Sequence, residues 1–204
     1  MRLIETGELR VVPANEASWA DVQTVFTGGD QGRCQCQFFK IRDFQWQALT
    51  VSDRQARLRE QTRCGDPHAR ATSGLLAYLD AEPVGWVAVE PRTSYPRLQG
   101  VRTVWSGRDE DKDDDGVWAV TCFVVRRAYR RRGICYALAA ATPAFARERG
   151  ATAIEAYPMI TEPGKEIIWN ELYRGSRQIF AEAGFTEVSR PSKRRVVMRI
   201  DFLA

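Results

Sequence analysis

Residues 126–138 read RRAYRRRGICYAL. Five of the first seven are arginines, a single glycine follows, and an apolar run with helical spacing begins after it. Basic side chains at the entrance to a helix suit an anion. The first N–H groups of a helix lack carbonyl partners and carry partial positive charge, so a phosphate fits there. Gly133 would let the backbone approach such a ligand closely, and Arg130, Arg131 and Arg132 would add charge and forked donors. A dinucleotide loop needs three spaced glycines, and a Walker loop needs a glycine five residues before Gly-Lys. Neither pattern is present, and PGKE at 163–166 does not replace the second. A second group of reactive side chains is Cys34, Cys36, Cys64 and His68, the chain's single histidine. They could hold a structural zinc or be buried thiols and a surface histidine. Cys-x-Cys is a poor half-site beside Cys-x2-Cys, so no metal is expected.

The elements that must position these residues follow from the hydrophobic pattern. VWAVTCFVV (117–125) is apolar, β-branched and aromatic, so it reads as a buried strand. Ile134, Ala137, Leu138, Ala141 and Phe145 keep helical spacing after Gly133. Pro143 within that helix should kink or shorten it. TAIEAYP (152–158) reads as a strand beside 117–125, followed by a loop, a short helix (176–183) and a last strand (194–202). Upstream, residues 8–14 form a strand, 16–26 a helix, and 52–63 a polar helix capped by Ser52. Residues 28–46 read as an ordered loop or short turns. Residues 74–91 are two apolar runs around DAEP, a hairpin. Residues 92–116 form a long polar connection, and its acidic DEDKDDD run (109–115) reads as a solvated connector or as a lure for a cationic acceptor.

Taken together, these segments resemble the GNAT superfamily of acyl-CoA-dependent N-acyltransferases. Its main motif is a strand ending in Val, then Arg/Gln-x-x-Gly-x-Gly/Ala opening a helix. Here Phe123 and Val125 end the strand and Arg130-x-x-Gly133-x-Cys135 follows. Its second motif has an aromatic residue four positions before Gly-Phe. IFAEAGFTEV supplies Phe180, Gly184 and Phe185. The resemblance implies an α+β fold, a mixed and mostly antiparallel sheet with two splayed parallel strands, flanked by helices. It implies acetyl-CoA as co-substrate, its pantetheine along Phe123, Val124 and Val125, and its pyrophosphate on backbone amides from Arg131 through Gly133, Ile134, Cys135 and Tyr136 to Ala137. Phe180 would border the cofactor. Cys135 stands where the family has Gly or Ala, and Phe180 where many members carry the tyrosine that protonates the leaving thiolate; phenylalanine has no proton to give.

Attack on a thioester requires a neutral amine, so a proton must leave. Glu155, the carboxylate within the second central strand, is either that base or a strand glutamate that faces solvent or pairs with arginine. Tyr173 and Tyr157 are candidates for the missing acid, or packing residues. Cys122 and Cys135 could carry an acyl group, but no histidine lies nearby to activate them, and the family transfers directly. The aromatic stretch 36–46, CQFFKIRDFQW, lines the acceptor pocket or a core.

The bulk properties agree with one domain over residues 1–204. Hydrophobic residues make up 44% and charged residues 27%, and the net charge of +4 is too small to argue for nucleic acid. The sequence shows no apolar signal core and no run of membrane-spanning length, and five cysteines have no framework spacing. A cytoplasmic acetyltransferase acting on a primary amine of a small molecule, peptide or protein is expected, with no nucleic acid or membrane partner and a homodimer left open. The alternative is an acyl-CoA-binding regulatory module with little activity, suggested by Phe180.

Overall fold

A computed structural model describes residues 7–161 and 169–202. The PGKE segment at 163–166 lies outside them. The strands are β1 (Leu9–Pro13), β2 (Leu75–Leu79), β3 (Glu82–Pro91), β4 (Val117–Val125), β5 (Ala153–Ala156), β6 (Thr186–Ser192) and β7 (Arg195–Asp201). They form one sheet in the order β1-β2-β3-β4-β5-β7-β6. Only β4 and β5 pair in parallel; every other pair is antiparallel. The helices are α1 (Trp19–Val25), α2 (Gly29–Cys34), α3 (Asp43–Trp46), α4 (Val51–Thr62), α5 (Arg102–Trp105), α6 (Ile134–Arg147) and α7 (Arg177–Glu182).

Alternation along β4 sorts side chains to two faces. Trp118, Val120 and Phe123 join α6 and α7 in one core, with Leu138, Phe145 and Phe180. Ala119, Cys122 and Val124 face the N-terminal helices and the 92–105 segment. α6 lies close against β3: a Cβ at Gly85 would come within 2.7 Å of Ile134 Cγ2. Only a glycine gives that clearance.

Three local expectations change. α6 runs through Pro143 unbroken. The missing proline N–H would orphan the Ala139 carbonyl, and the Thr142 hydroxyl donates to it instead, at 2.8 Å. α4 is capped by Thr50, not Ser52. Its hydroxyl accepts from the Asp53 N–H at 3.1 Å, and the Asp53 carboxylate accepts from the Thr50 N–H at 2.8 Å. The polar connection 92–116 packs over its first part, with Arg92, Tyr95, Leu98, Val104 and Trp105 all buried, while its acidic run 109–115 is exposed.

Candidate active site

β4 and β5 pair over four residues only, from Val117 beside Ala153 to Val120 beside Ala156. Immediately afterwards β4 carries a bulge. Val120 faces Val89 and Cys122 faces Ala88, which leaves Thr121 as the extra residue. A bulge bends its strand and increases its twist. Residues 122–125 therefore turn away from the line of β5, whose continuation is held elsewhere by bridges from Met159 to Ser176 and Arg195. A cavity of about 530 Å³ opens between them. Phe123, Val124 and Val125 line one wall, and Gly175, Ser176 and Ile179 the other.

The Arg-rich turn closes one end of this opening. Gly133 caps α6 with φ 82°, and Arg131 is also left-handed at φ 65°. The Tyr136 and Ala137 N–H groups close onto the Gly133 carbonyl at 2.9 and 3.2 Å. The outward first-turn donors are thus Ile134 and Cys135, preceded by the turn amides of 131–133. Arg130, Arg131, Gly133, Ile134, Cys135 and Tyr136 all line the cavity. Cys135 leaves its amide at the cavity while its side chain packs against the α6 core, and burial pushes its thiol up to about 11.

Three expected cofactor residues are placed differently. Ala137 is not among the lining residues, and its amide is used within the helix. Arg132 is exposed and stacks over the Tyr129 ring, 5.4 Å from its centroid. Phe180 lies beneath the wall, edge-on to Phe123 at 5.7 Å and to Phe185 at 5.1 Å. Its aromatic ring is a core element, and Ile179 beside it reaches the cavity.

A second cavity of about 330 Å³ adjoins the first, and Gln31 and Tyr173 line both. Phe38, Phe39, Trp46, Cys34, Cys36 and Cys122 form much of its wall. The aromatic stretch 36–46 thus serves both readings: Phe38 and Trp46 border the cavity, while Phe39 does so from within a buried cluster. Tyr173 lies in the 3-10 turn Trp169–Arg174, its ring 6.3 Å from that of Phe39, and its oxygen accepts from Arg174 Nε at 3.1 Å.

Glu155 borders neither cavity. It is 0% exposed and held by three guanidiniums. Arg108 binds both its oxygens, Arg199 Nη1 lies 2.8 Å away, and Arg92 Nη1 lies 3.4 Å away. The Tyr157 hydroxyl donates to Oε2 at 3.0 Å. Burial would raise the carboxyl, but Arg108 above all, then Arg92 and Arg199, hold it below the ordinary range. Of the two readings of Glu155, base or partner of arginine, the geometry matches the second: its charge is neutralised at the paired end of β4–β5. Tyr157 packs in the core beside it, and burial and then Glu155 push its phenol well up. From the acidic run, Glu110 joins this cluster, 2.7 Å from Arg108 and 3.1 Å from Arg199.

A family model for the acetyltransferase (GNAT) family matches residues 38–163. The chain belongs to the GNAT acetyltransferase family. No curated protein matches it in sequence. Solved structures share its fold. An N-acetyltransferase from Staphylococcus aureus Mu50 is 10% identical with a TM-score of 0.52, and a GCN5-related N-acetyltransferase from Kribbella flavida is 17% identical with 0.51. Each alignment covers 95% of this chain and 98% of the other. The GNAT domain of S. lividans PAT is 20% identical with 0.50, over 98% of this chain and 94% of that one. Within this GNAT chain the expected mixed sheet with two parallel strands that part is present. No helix among the described residues is long and apolar enough to cross a membrane.

The remaining candidates of this GNAT chain separate in space. Cys34 and Cys36 border the second cavity, Cys64 bonds Thr62 at 3.1 Å, and His68 is exposed. Among the described residues no three metal-binding side chains come together. Burial pushes Cys34 up to about 11 and raises Cys36 and Cys135 as well, so these are thiols rather than thiolates near neutrality. Sequence reasoning missed Gln31, Gly175, Ser176 and Ile179 on the cavities, and Arg92, Arg108 and Arg199 around Glu155. Only the Gly-Ser pair ahead of α7 offered a local signal, a turn and cap.

Proposed function

We propose that the chain is one acyltransferase unit that transfers an acetyl group from acetyl-CoA directly to a primary amine. The observation that carries this reading is the pair of cavities meeting at Tyr173: one is bounded by a strand edge and a helix start, the other by aromatic side chains. The residues present fit the donor. The edge of β4 that faced β5 is open beyond Val120, so Phe123, Val124 and Val125 offer backbone groups to an extended amide-bearing arm. The amides of 131–135, with Arg130 and Arg131, offer a cradle for a pyrophosphate. Bound acetyl-CoA would supply an activated acyl thioester.

Tyr173 takes the place of the tyrosine that Phe180 cannot supply, as the acid at the junction of the cavities. In the transfer the amine nitrogen forms a bond to the acyl carbon and the carbon–sulfur bond breaks. The Tyr173 O–H protonates the departing sulfur, the nitrogen gives its proton to water, and water returns a proton to the Tyr173 oxygen. Cys122 and Cys135 carry no acyl group in this scheme.

The test is thiol release from acetyl-CoA with a panel of amines, run beside a thermal-shift titration of acetyl-CoA. Binding with amine-dependent thiol release is the expected result. Binding without turnover across the panel would return the chain to an acyl-CoA-binding regulatory role, and absence of binding would end both.

A further inference from the structure

The cavity lined by Phe38, Phe39 and Trp46 has a chemical character that narrows its guest. Among the described residues, each aromatic ring of its wall has a guanidinium against it. Arg54 sits 3.9 Å from the Trp46 centroid, Arg97 4.0 Å from Phe38, and Arg174 4.6 Å from Phe39 and 5.5 Å from Tyr173. A guanidinium held against a ring weakens that ring's attraction for a second cation. Arg54 is a fixed charge, since its guanidinium donates to the carbonyls of Arg33, Trp46 and Leu49 at 3.0, 3.1 and 2.8 Å. Its buried Nε has no hydrogen-bond partner. Arg33 stands exposed at the same cavity. Among the described side chains no carboxylate lines it. Glu90, which contacts Lys40 behind this wall, is engaged by that ammonium, by Ser73 at 2.6 Å and by Tyr95 at 3.3 Å.

We infer that this cavity takes an amine carried on a small apolar or aromatic body that also bears an anionic group, and that it rejects polycationic acceptors. This rests on the acetyl-transfer reading for the amine's fate, but the cavity's charge and lining stand without it. The cavity volume is at the small end of the range for ligand sites, which runs from roughly 300 to 1,000 Å³. The cationic rim draws the anion, with Arg33 as the specificity-determining side chain, while the aromatic wall buries the body.

Calorimetric titration of three amines into the full chain tests it: L-phenylalanine, phenethylamine, which is the same body without the carboxylate, and spermidine. L-Phenylalanine should bind at least about tenfold more tightly than phenethylamine, and spermidine more weakly than either. Arg33→Glu should abolish or reverse the preference between the first two. Equal or tighter binding of phenethylamine or spermidine, an unchanged preference in Arg33→Glu, or no binding of any of the three would overturn the inference. Acetyl-CoA titrated separately keeps the two readings apart. Loss of acetyl-CoA binding with the phenylalanine preference intact would sink the transferase reading alone.

Discussion

At residues 117–120 β4 lies hydrogen-bonded beside β5, while at residues 122–125 the same strand has left it. The paired end is buried and ionic: Glu155 sits among Arg92, Arg108 and Arg199. The parted end is open and lined by backbone, a helix start and Tyr173. One residue, Thr121, separates them. A carboxylate in a central strand is thus no guide to catalysis by itself. What matters is which side of the bulge it occupies, because the cavity opens at the parted side.

The sharpest way to break this contrast is Glu155→Gln. It leaves three guanidiniums facing a neutral group, and removing one partner of a buried ion cluster costs about 3–5 kcal/mol. Chemical denaturation should report that loss, while turnover per folded molecule stays within about twofold. Acid should act on the same group. The folded carboxyl is held below its ordinary value of 4.5, so its contribution is complete above that value and is lost as pH falls through the lower folded one. The wild-type Tm should therefore drop on acidification below 4.5, and the Glu155→Gln profile should be flatter there. A large loss of kcat with unchanged stability would restore Glu155 to catalysis.

Tyr173→Phe probes the other end. Loss of a general acid typically costs about 10²-fold or more in rate, so kcat should fall by about that factor while acetyl-CoA binding, read by thermal shift, is unchanged. An unchanged kcat would move the acid elsewhere. The smallest effect belongs to the helix behind the cradle. Thr142→Val removes the hydroxyl that serves the Ala139 carbonyl, and should cost about 1–2 kcal/mol of stability with no change in acetyl-CoA affinity.

The same contrast explains what the sequence could reveal. The strand 117–125, Gly133 and the apolar face of α6 are local patterns of period and turn, and the structure places them where those patterns point. The bulge at Thr121 is a matter of register against β3, which no local pattern encodes. The partners of Glu155 arrive from residues 92, 108 and 199, so its role as a neutralised charge depends on three distant arginines. Phe180 matched a motif by spacing, but one position along a helix turns a side chain by about 100°, and that decides between Ile179 at the cavity and Phe180 in the core. Much of the wall of the second cavity is drawn from short helices and turns over 31–46, where composition gave aromatics but not their arrangement.

In the proposed transferase the backbone around Gly133 holds the anionic middle of acetyl-CoA at the parted end of β4. Isothermal titration of acetyl-CoA into the wild type, Gly133→Asn and Gly133→Asp tests it most directly. Asparagine and aspartate both tolerate the left-handed backbone of this position and are close in shape, so they differ chiefly in charge. A carboxylate within about 4 Å of a phosphate opposes binding by about 4 kcal/mol at an effective dielectric of 20. Gly133→Asn should bind within about tenfold of wild type, and Gly133→Asp should lose at least about 100-fold. Equal affinities for the two variants would contradict the placement of the phosphates, and with it the account of this site.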